Sequence, residues 1–195
     1  MLKFAKVISR ILFGIFFRVE LVNKHYVPEK GSALICANHK SQLDMFFLGY
    51  KLKRCIHYIA KEELFRNPLL GAVMRSLGAF PVKRGSGDVK AIRTGLDLLE
   101  KGHIIGIFPE GTRRKGKSRG EMKIKPGSAM FAIKSGVAII PVALEGSYKI
   151  FSRVRVIFGK PFYLDVDKNK KYTVEEMTQI SRDIMDKVYS LMEAE

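Results

Sequence analysis

The residues Ala33-Leu-Ile-Cys-Ala37, continued by Asn38-His-Lys-Ser-Gln-Leu-Asp44, contain the strongest structural signal in this chain. The first five form an apolar run typical of a buried strand, and the next seven are mostly polar. His39 and Asp44 supply an imidazole and a carboxylate five positions apart. Such a pair can act as a general base and the group that orients it. Inside one helix a five-residue step would leave them about 140° apart, so we expect His39 in the turn before a helix.

Asp44 has two interpretations at this stage. Ser41 followed three residues later by Asp44 resembles a capping box that leads into the apolar residues 43–48. In that case the carboxylate caps a helix. In the other case it orients the ring of His39, and the pattern alone leaves both open.

A second segment combines the same kinds of residue. The run Lys101-Gly-His-Ile-Ile-Gly-Ile-Phe108 is consistent with a buried strand, and Pro109-Glu-Gly-Thr-Arg-Arg114 stops it with turn residues. Polar groups therefore follow two different strands, and we expect the chemistry at strand ends.

The middle of the chain alternates strand and helix patterns. This alternation predicts an α/β fold with a mixed, largely parallel central sheet flanked by helices. A long amphipathic helix with a capping-box start at Thr173 closes it. The predicted strands are 33–37, 55–60, 79–82, 103–108, 138–144 and 154–158, and the predicted helices are 43–52, 68–77, 88–100, 128–134 and 173–195.

Four segments together resemble the glycerolipid acyltransferase family. Asn38-His-Lys-Ser-Gln-Leu-Asp44, which carries an HX4D motif, and Phe108-Pro-Glu-Gly-Thr-Arg113 are similar to its first and third signature blocks. Gly78-Ala-Phe-Pro-Val-Lys-Arg84 is similar to the second and Val137-Ala-Ile-Ile-Pro141 to the fourth. The blocks fall in the family's order, and the resemblance spans about residues 30 to 160.

The resemblance implies transfer of a fatty acyl group from an acyl thioester to the sn-2 hydroxyl of 1-acylglycerol 3-phosphate. A hydroxyl is a poor nucleophile at neutral pH, so a base must take its proton. We expect His39 to be that base, with Asp44 holding its tautomer. No cofactor is implied, and the donor is either acyl-CoA or acyl-acyl carrier protein.

The acceptor's phosphate calls for cations near the same strand ends. Arginine suits a phosphate because its planar fork donates two hydrogen bonds, and the resemblance makes Arg84 the main ligand. It also points to an acceptor pocket at Glu110 and Gly111. The predicted substrate-binding residues are Arg84, Glu110, Gly111, Thr112, Arg113, Lys83 and Lys125.

The chain has a net charge of +16, which implies an anionic partner. Apolar residues recur at helical spacing near the N-terminus, but the apolar run from Ile11 to Phe17 is far shorter than a membrane span. We therefore expect an amphipathic membrane-associating helix over 1–22, a single acyltransferase domain over 23–195, and a peripheral or monotopic location on the cytoplasmic face of the cell membrane. The predicted membrane-binding residues are Lys3, Phe4, Lys6, Ile8, Arg10, Phe13, Phe16 and Phe17.

Other functions stay open with less support. Within the same chemistry the acceptor could be glycerol 3-phosphate or another lysophospholipid, and a non-catalytic lipid-binding protein is a further alternative. Gly111–Ser118 matches a Walker A pattern, but Gly120 and Pro126 interrupt the helix such a loop requires. The basic residues 113–125 include no aromatic side chain to stack on bases, so we expect no nucleic-acid partner. We also find no metal-ligand spacing.

Overall fold

The structure is a computed structural model that describes residues 14–83, 88–113, 118–167 and 169–193. The strands in this part of the chain are β1 (Arg18–Val22), β2 (Ala33–Ala37), β3 (Ile56–Lys61), β4 (Phe80–Val82), β5 (Ile104–Ile107), β6 (Ala138–Gly146) and β7 (Arg153–Phe158). The α-helices are α1 (Asp44–Gly49), α2 (Pro68–Ser76), α3 (Val89–Glu100), α4 (Gly127–Ser135) and α5 (Val174–Ser190). Two 3-10 helices, Lys24–Tyr26 and Glu62–Phe65, complete the order.

The strands form one seven-stranded sheet in the order β1-β7-β6-β2-β5-β3-β4. All neighbours are parallel except β6 and β7, which are antiparallel. The predicted α/β fold with a mixed, largely parallel sheet is therefore confirmed. All five residues of β2 are buried, as expected for a central strand that has helices on both of its faces.

Alternate residues of β2 point into two separate apolar layers. Ala33, Ile35 and Ala37 belong to the layer beneath α1 and α2, which includes Phe47 and Met74. The other layer lies beneath the remaining three helices and contains Leu34, Cys36, Leu99, Phe131 and Ile184. The sheet thus separates two apolar cores. Polar side chains can cluster at its edges.

Local signals account for where the helices begin. The side chain of Asp88 accepts a hydrogen bond from the amide of Ala91 at the start of α3, and the Asn67 side chain does the same for Leu70 in α2. Backbone amides, led by that of Lys83, hold the pKa of Asp88 below its ordinary value. Thr173 forms the predicted capping box at the start of α5.

The N-terminal prediction needs correction. Residues 14–16 are helical, but Arg18–Val22 forms β1, which pairs in parallel with β7. The segment 1–22 is therefore not one helix, and its last five residues belong to the sheet. Val19 and Leu21 match the period of a strand as well as that of a helix, and burial against the core favours the strand.

Membrane contact was predicted for two phenylalanines of this region that the structure describes. The ring of Phe17 packs edge-on against Phe47, with 5.1 Å between ring centroids, so the prediction for Phe17 is corrected. Phe16 is exposed. The predictions for Lys3, Phe4, Lys6, Ile8, Arg10 and Phe13 lie outside the described residues. Within the described ranges, no helix combines the length and apolarity needed to cross a membrane.

We predict that Gly95→Ala destabilises the protein although alanine favours helices. A Cβ at this position in α3 would lie 2.4 Å from Cε1 of Phe131, so the ring or the helix must move. Such overpacking costs about 1–3 kcal/mol, against a helix-propensity gain of up to about 1 kcal/mol. Urea denaturation should therefore show a lower free energy of unfolding.

Gly49→Ala is the matched control, because outside the adjoining backbone of α1 the added Cβ would meet no described atom within 4 Å. Its free energy of unfolding should stay unchanged or rise by up to about 1 kcal/mol. Equal stabilisation by the two alanines would contradict the close packing of α3 on α4.

Candidate active site

The topology brings several loops to one edge of the sheet. The strands β2, β5, β3, β4 and β6 run in the same direction, so their carboxyl ends share one edge, where ligands of α/β proteins tend to bind. His39 follows β2, Glu110 follows β5 and Tyr148 follows β6. We call this edge the catalytic edge.

The backbone before His39 is held by Asn38. The Asn38 amide group donates to the carbonyl of Leu144 at 3.0 Å and accepts from the Leu144 amide at 2.7 Å. Its side chain thus continues the β2–β6 ladder for one more step, and it is fully buried. This role was not predicted, although Asn38 stands inside the first signature block.

His39 and Asp44 meet as predicted from their spacing. The distance from Nδ1 of His39 to Oδ2 of Asp44 is 2.7 Å. The same oxygen accepts from the amides of Lys40 and Ser41, at 2.7 and 2.9 Å. The carboxylate is fully buried, and a buried carboxylate needs donors to replace water.

A fourth donor to this carboxylate comes from a distant loop. The hydroxyl of Tyr148 donates to Oδ1 of Asp44 at 2.6 Å. Burial, and then the charge of Asp44, raise the pKa of Tyr148, so the phenol keeps its proton and remains a donor. Sequence analysis missed Tyr148. The available signal was the Gly146-Ser-Tyr148 turn after a predicted strand, the same signal that marked His39 and Glu110.

The capping interpretation of Asp44 is corrected, because the N-cap of α1 is Leu43 and no described side chain caps this helix. α1 begins at Asp44, and the carboxylate accepts from the Ser41 amide while also contacting His39. The Ser41 hydroxyl differs from the predicted capping box, because it accepts from the amide of Leu43 at 3.2 Å. Asp44 therefore shapes the turn and orients the ring at the same time.

The imidazole is fixed on its other sides too. The ring of Phe108 stacks on it at 4.2 Å between centroids with an interplanar angle of 20°. The side chain of His39 is 17% exposed. Its Nδ1 is bonded to Asp44, which leaves Nε2 as the nitrogen that can exchange a proton. This is the arrangement a general base requires.

Glu110 lies beside this pair but its carboxylate faces protein groups. One oxygen accepts from the His39 amide at 3.0 Å and the other from the Tyr189 hydroxyl at 2.7 Å, and the residue is 1% exposed. The first of these contacts holds the backbone of His39 in place, and the predicted contact of Glu110 with an acceptor stays a prediction. Tyr189, near the end of α5, was not predicted, because nothing in its local sequence marks a partner 79 residues away.

Gly111 and Lys125 lie together beyond Glu110. Gly111 has φ of +64°, and its amide donates to the carbonyl of Phe108 at 2.9 Å to close a tight turn. An added Cβ would lie 3.0 Å from Cγ of Lys125, whose own amide donates to the Pro109 carbonyl. Lys125 is exposed and stands next to the turn.

The other predicted substrate ligands are spread along the edge. Thr112 and Arg113 are exposed just after the Gly111 turn. Lys83 follows β4, three strands from β2 and thus about 14 Å away at the usual strand spacing. Its amide donates to Asp88 and its side chain is exposed. Arg84 lies outside the described residues.

Comparison with known proteins agrees with this geometry. A family model described as Acyltransferase matches residues 18–145. The chain is similar to the 1-acyl-sn-glycerol-3-phosphate acyltransferase of Bacillus subtilis, with 30% identity covering 84% of this chain and 83% of the relative. The enzyme of the same name from Borreliella burgdorferi is 32% identical, over 90% of this chain and 72% of the relative.

The fold is also similar to a solved structure. The crystal structure of the 1-acyl-sn-glycerophosphate (LPA) acyltransferase PlsC from Thermotoga maritima superposes with a TM-score of 0.71 at 26% identity, covering all of this chain and 80% of that one. Family match, curated relatives and solved structure all agree, and the chain belongs to the Acyltransferase family of O-acyltransferases.

Proposed function

We propose that the protein transfers a fatty acyl group from an acyl thioester to the sn-2 hydroxyl of 1-acylglycerol 3-phosphate, giving phosphatidic acid. The observation that carries the chemistry is the 2.7 Å contact between the imidazole of His39 and the buried carboxylate of Asp44. The names of the relatives support the acceptor.

In the proposed reaction the hydroxyl oxygen attacks the thioester carbonyl while Nε2 of His39 takes its proton. The tetrahedral intermediate collapses, the carbon–sulfur bond breaks, and the imidazolium returns the proton to the departing thiolate. Asp44 stabilises the imidazolium and keeps the neutral ring in one tautomer. No acyl-enzyme is needed because the substrate supplies the nucleophile.

The donors around Asp44 suit this role. Two backbone amides and the Tyr148 hydroxyl hold the carboxylate in one position, so the ring of His39 has little rotational freedom. A base held in place in this way costs less reorganisation when the substrate arrives. We therefore assign Tyr148 as a positioning residue.

We propose that the acceptor's phosphate binds Arg84, with Arg113, Lys83 and Lys125 as weaker ligands. The supporting observation is that the last three follow strands or turns on the catalytic edge and are exposed there. The net charge of +16 favours an anionic membrane as the surface from which the lysolipid is taken, on the cytoplasmic face. The same charge suits either acyl-CoA or acyl-acyl carrier protein, both of them anionic donors.

We predict that His39→Ala lowers kcat by about 100- to 10,000-fold, because general-base catalysis is lost. Thiol release from palmitoyl-CoA, with detergent-dispersed 1-acylglycerol 3-phosphate as acceptor, measures the rate. Glycerol 3-phosphate is tested in parallel, and activity with that acceptor alone would replace the proposed substrate.

The matched control is His25→Ala, which removes an exposed histidine that follows β1, at the opposite edge of the sheet. It should keep full activity. Thiol release that is equally fast in both variants would exclude His39 as the base. If palmitoyl-CoA supports no release in the parent, acyl carrier protein thioesters are the donors to test.

Tyr148→Phe is expected to lower kcat about 5- to 30-fold with little change in KM for either substrate. The substitution removes one donor from a buried charge, worth about 1–2 kcal/mol, and touches no substrate. Steady-state kinetics measure the split between kcat and KM. Tyr163→Phe, at an exposed tyrosine, is the control and should leave both unchanged. A rise in KM alone would assign Tyr148 to substrate binding instead.

For Arg84→Gln we expect KM for the lysolipid to rise about 10- to 100-fold, because a charge-assisted bidentate contact to phosphate is lost. KM for palmitoyl-CoA should change much less. Arg93→Gln, at an exposed position of α3, is the control because it removes the same positive charge. An unchanged KM for the lysolipid in Arg84→Gln would move the phosphate site to the remaining cations.

A further inference from the structure

The outward face of α2 is apolar and uncovered. Leu69 is 78% exposed, and Leu70 and Val73 are nearly half exposed. The inward positions of the same helix are Gly71 and Met74, both buried. We call Leu69, Leu70 and Val73 the α2 patch. These three side chains do not pack in the core, so folding alone does not require them to be apolar. An exposed apolar patch of this kind indicates contact with another apolar partner.

The α2 patch begins at the catalytic edge. β3 runs parallel to β5 and β2, so its carboxyl end lies at the same edge as that of β2. The 3-10 helix Glu62–Phe65 and the first turn of α2 follow directly. Gly71 fixes this placement, since a Cβ there would lie 2.9 Å from the carbonyl oxygen of Phe65. Leu69 therefore lies to one side of His39 along the edge.

A second exposed apolar group lies on the other side. β7 is antiparallel to β6 and β1 is parallel to β7, so both strands begin at the catalytic edge. The segments that enter them are joined by a 2.7 Å hydrogen bond from the Phe151 amide to the Phe16 carbonyl. Both segments expose large apolar side chains: Ile15, Phe16, Ile150 and Phe151. Apolar groups thus flank the site at both ends of the sheet.

Charge identifies the partner of the α2 patch. The exposed cations of this stretch are Lys61 at the end of β3, Arg66 before α2, Arg75 in its last turn and Lys83 after β4, and they outnumber the acidic Glu62 and Glu63 of the 3-10 helix. An apolar patch with a net positive surround favours an anionic lipid surface over a protein partner. The excess of 35 Lys and Arg over 19 Asp and Glu agrees.

We propose that the α2 patch inserts into an anionic lipid bilayer, as a contact separate from the N-terminal segment. Together the two contacts would seat the catalytic edge on the interface, with His39 between them. The inference rests on the proposed function only in taking the acceptor from a membrane. The surface it concerns, the first two turns of α2, is separate from the proposed catalytic and phosphate-binding residues.

The test measures partition of the full chain onto vesicles of phosphatidylcholine with phosphatidylglycerol. We expect Leu69→Glu to weaken partition about tenfold or more, because an apolar side chain leaves the interface and a negative charge meets anionic lipid. Val174→Glu is the control: it is also an exposed apolar residue in the first turn of a helix, at 58% exposure. Tyr189 of α5 reaches the catalytic edge, and Val174 lies about 22 Å from Tyr189 at the other end of that helix.

A second pair of variants reads out insertion without adding charge. The chain contains no tryptophan, so Leu69→Trp introduces a single indole, whose emission can be excited apart from that of the tyrosines. Its emission should shift to the blue on anionic vesicles and be quenched by brominated lipid, whereas Val174→Trp should show neither change. Equal partition of the two glutamate variants, or equal quenching of the two tryptophans, would overturn the proposal, as would failure of the parent to bind vesicles.

Activity in detergent micelles separates this proposal from the chemistry. Leu69→Glu should retain the kcat of the parent there, because Leu69 is placed in no part of the catalytic machinery. If the parent lacks acyl transfer in micelles while Leu69→Glu still loses vesicle binding, the proposed reaction fails and the membrane contact stands. If acyl transfer is intact and both glutamate variants bind vesicles equally, the membrane contact fails and the proposed reaction stands.

Discussion

The buried carboxylate of Asp44 is the constraint on which the site depends. Removing a carboxylate from water costs several kcal/mol unless donors replace the lost hydration. Here the donors are the His39 ring, the Lys40 and Ser41 amides and the Tyr148 hydroxyl. The carboxylate draws all four to itself, so the position of the His39 ring, the proposed base, follows from the need to replace the hydration of Asp44.

A second buried carboxylate, after the neighbouring strand β5, is also held by protein donors. Glu110 receives the amide of His39 and the hydroxyl of Tyr189. His39 is consequently fixed twice, through its ring by Asp44 and through its backbone by Glu110. Each carboxylate takes one donor from a remote part of the chain, Asp44 from Tyr148 after β6 and Glu110 from Tyr189 in α5, so both segments must dock before both charges are satisfied. Correct folding and an ordered site are thereby coupled.

For the described part of the chain, sequence patterns predicted six of the seven strands and all five α-helices because each carries a local signal. The apolar run 33–37 and the capping box at Thr173 are examples. β1 was missed because Val19 and Leu21 fit both the helical period and the strand period. Only their packing on the core distinguishes a strand from a helix here. Tyr148 and Tyr189 were missed for another reason. Their partners lie 104 and 79 residues away, and no local pattern encodes so long a contact.

The direction of the strands at the far end of the sheet has a functional consequence. Had β7 followed β6 in parallel, the segment before β1 would enter the sheet at the edge opposite to His39. The antiparallel turn through Ile150 and Phe151 reverses this, so the N-terminal segment reaches the sheet at the catalytic edge. A single change of strand direction thus places the apolar side chains at 15 and 16 on the same edge as His39. Because the proposed acceptor carries an acyl chain, this is the edge that the proposed reaction requires to meet the lipid.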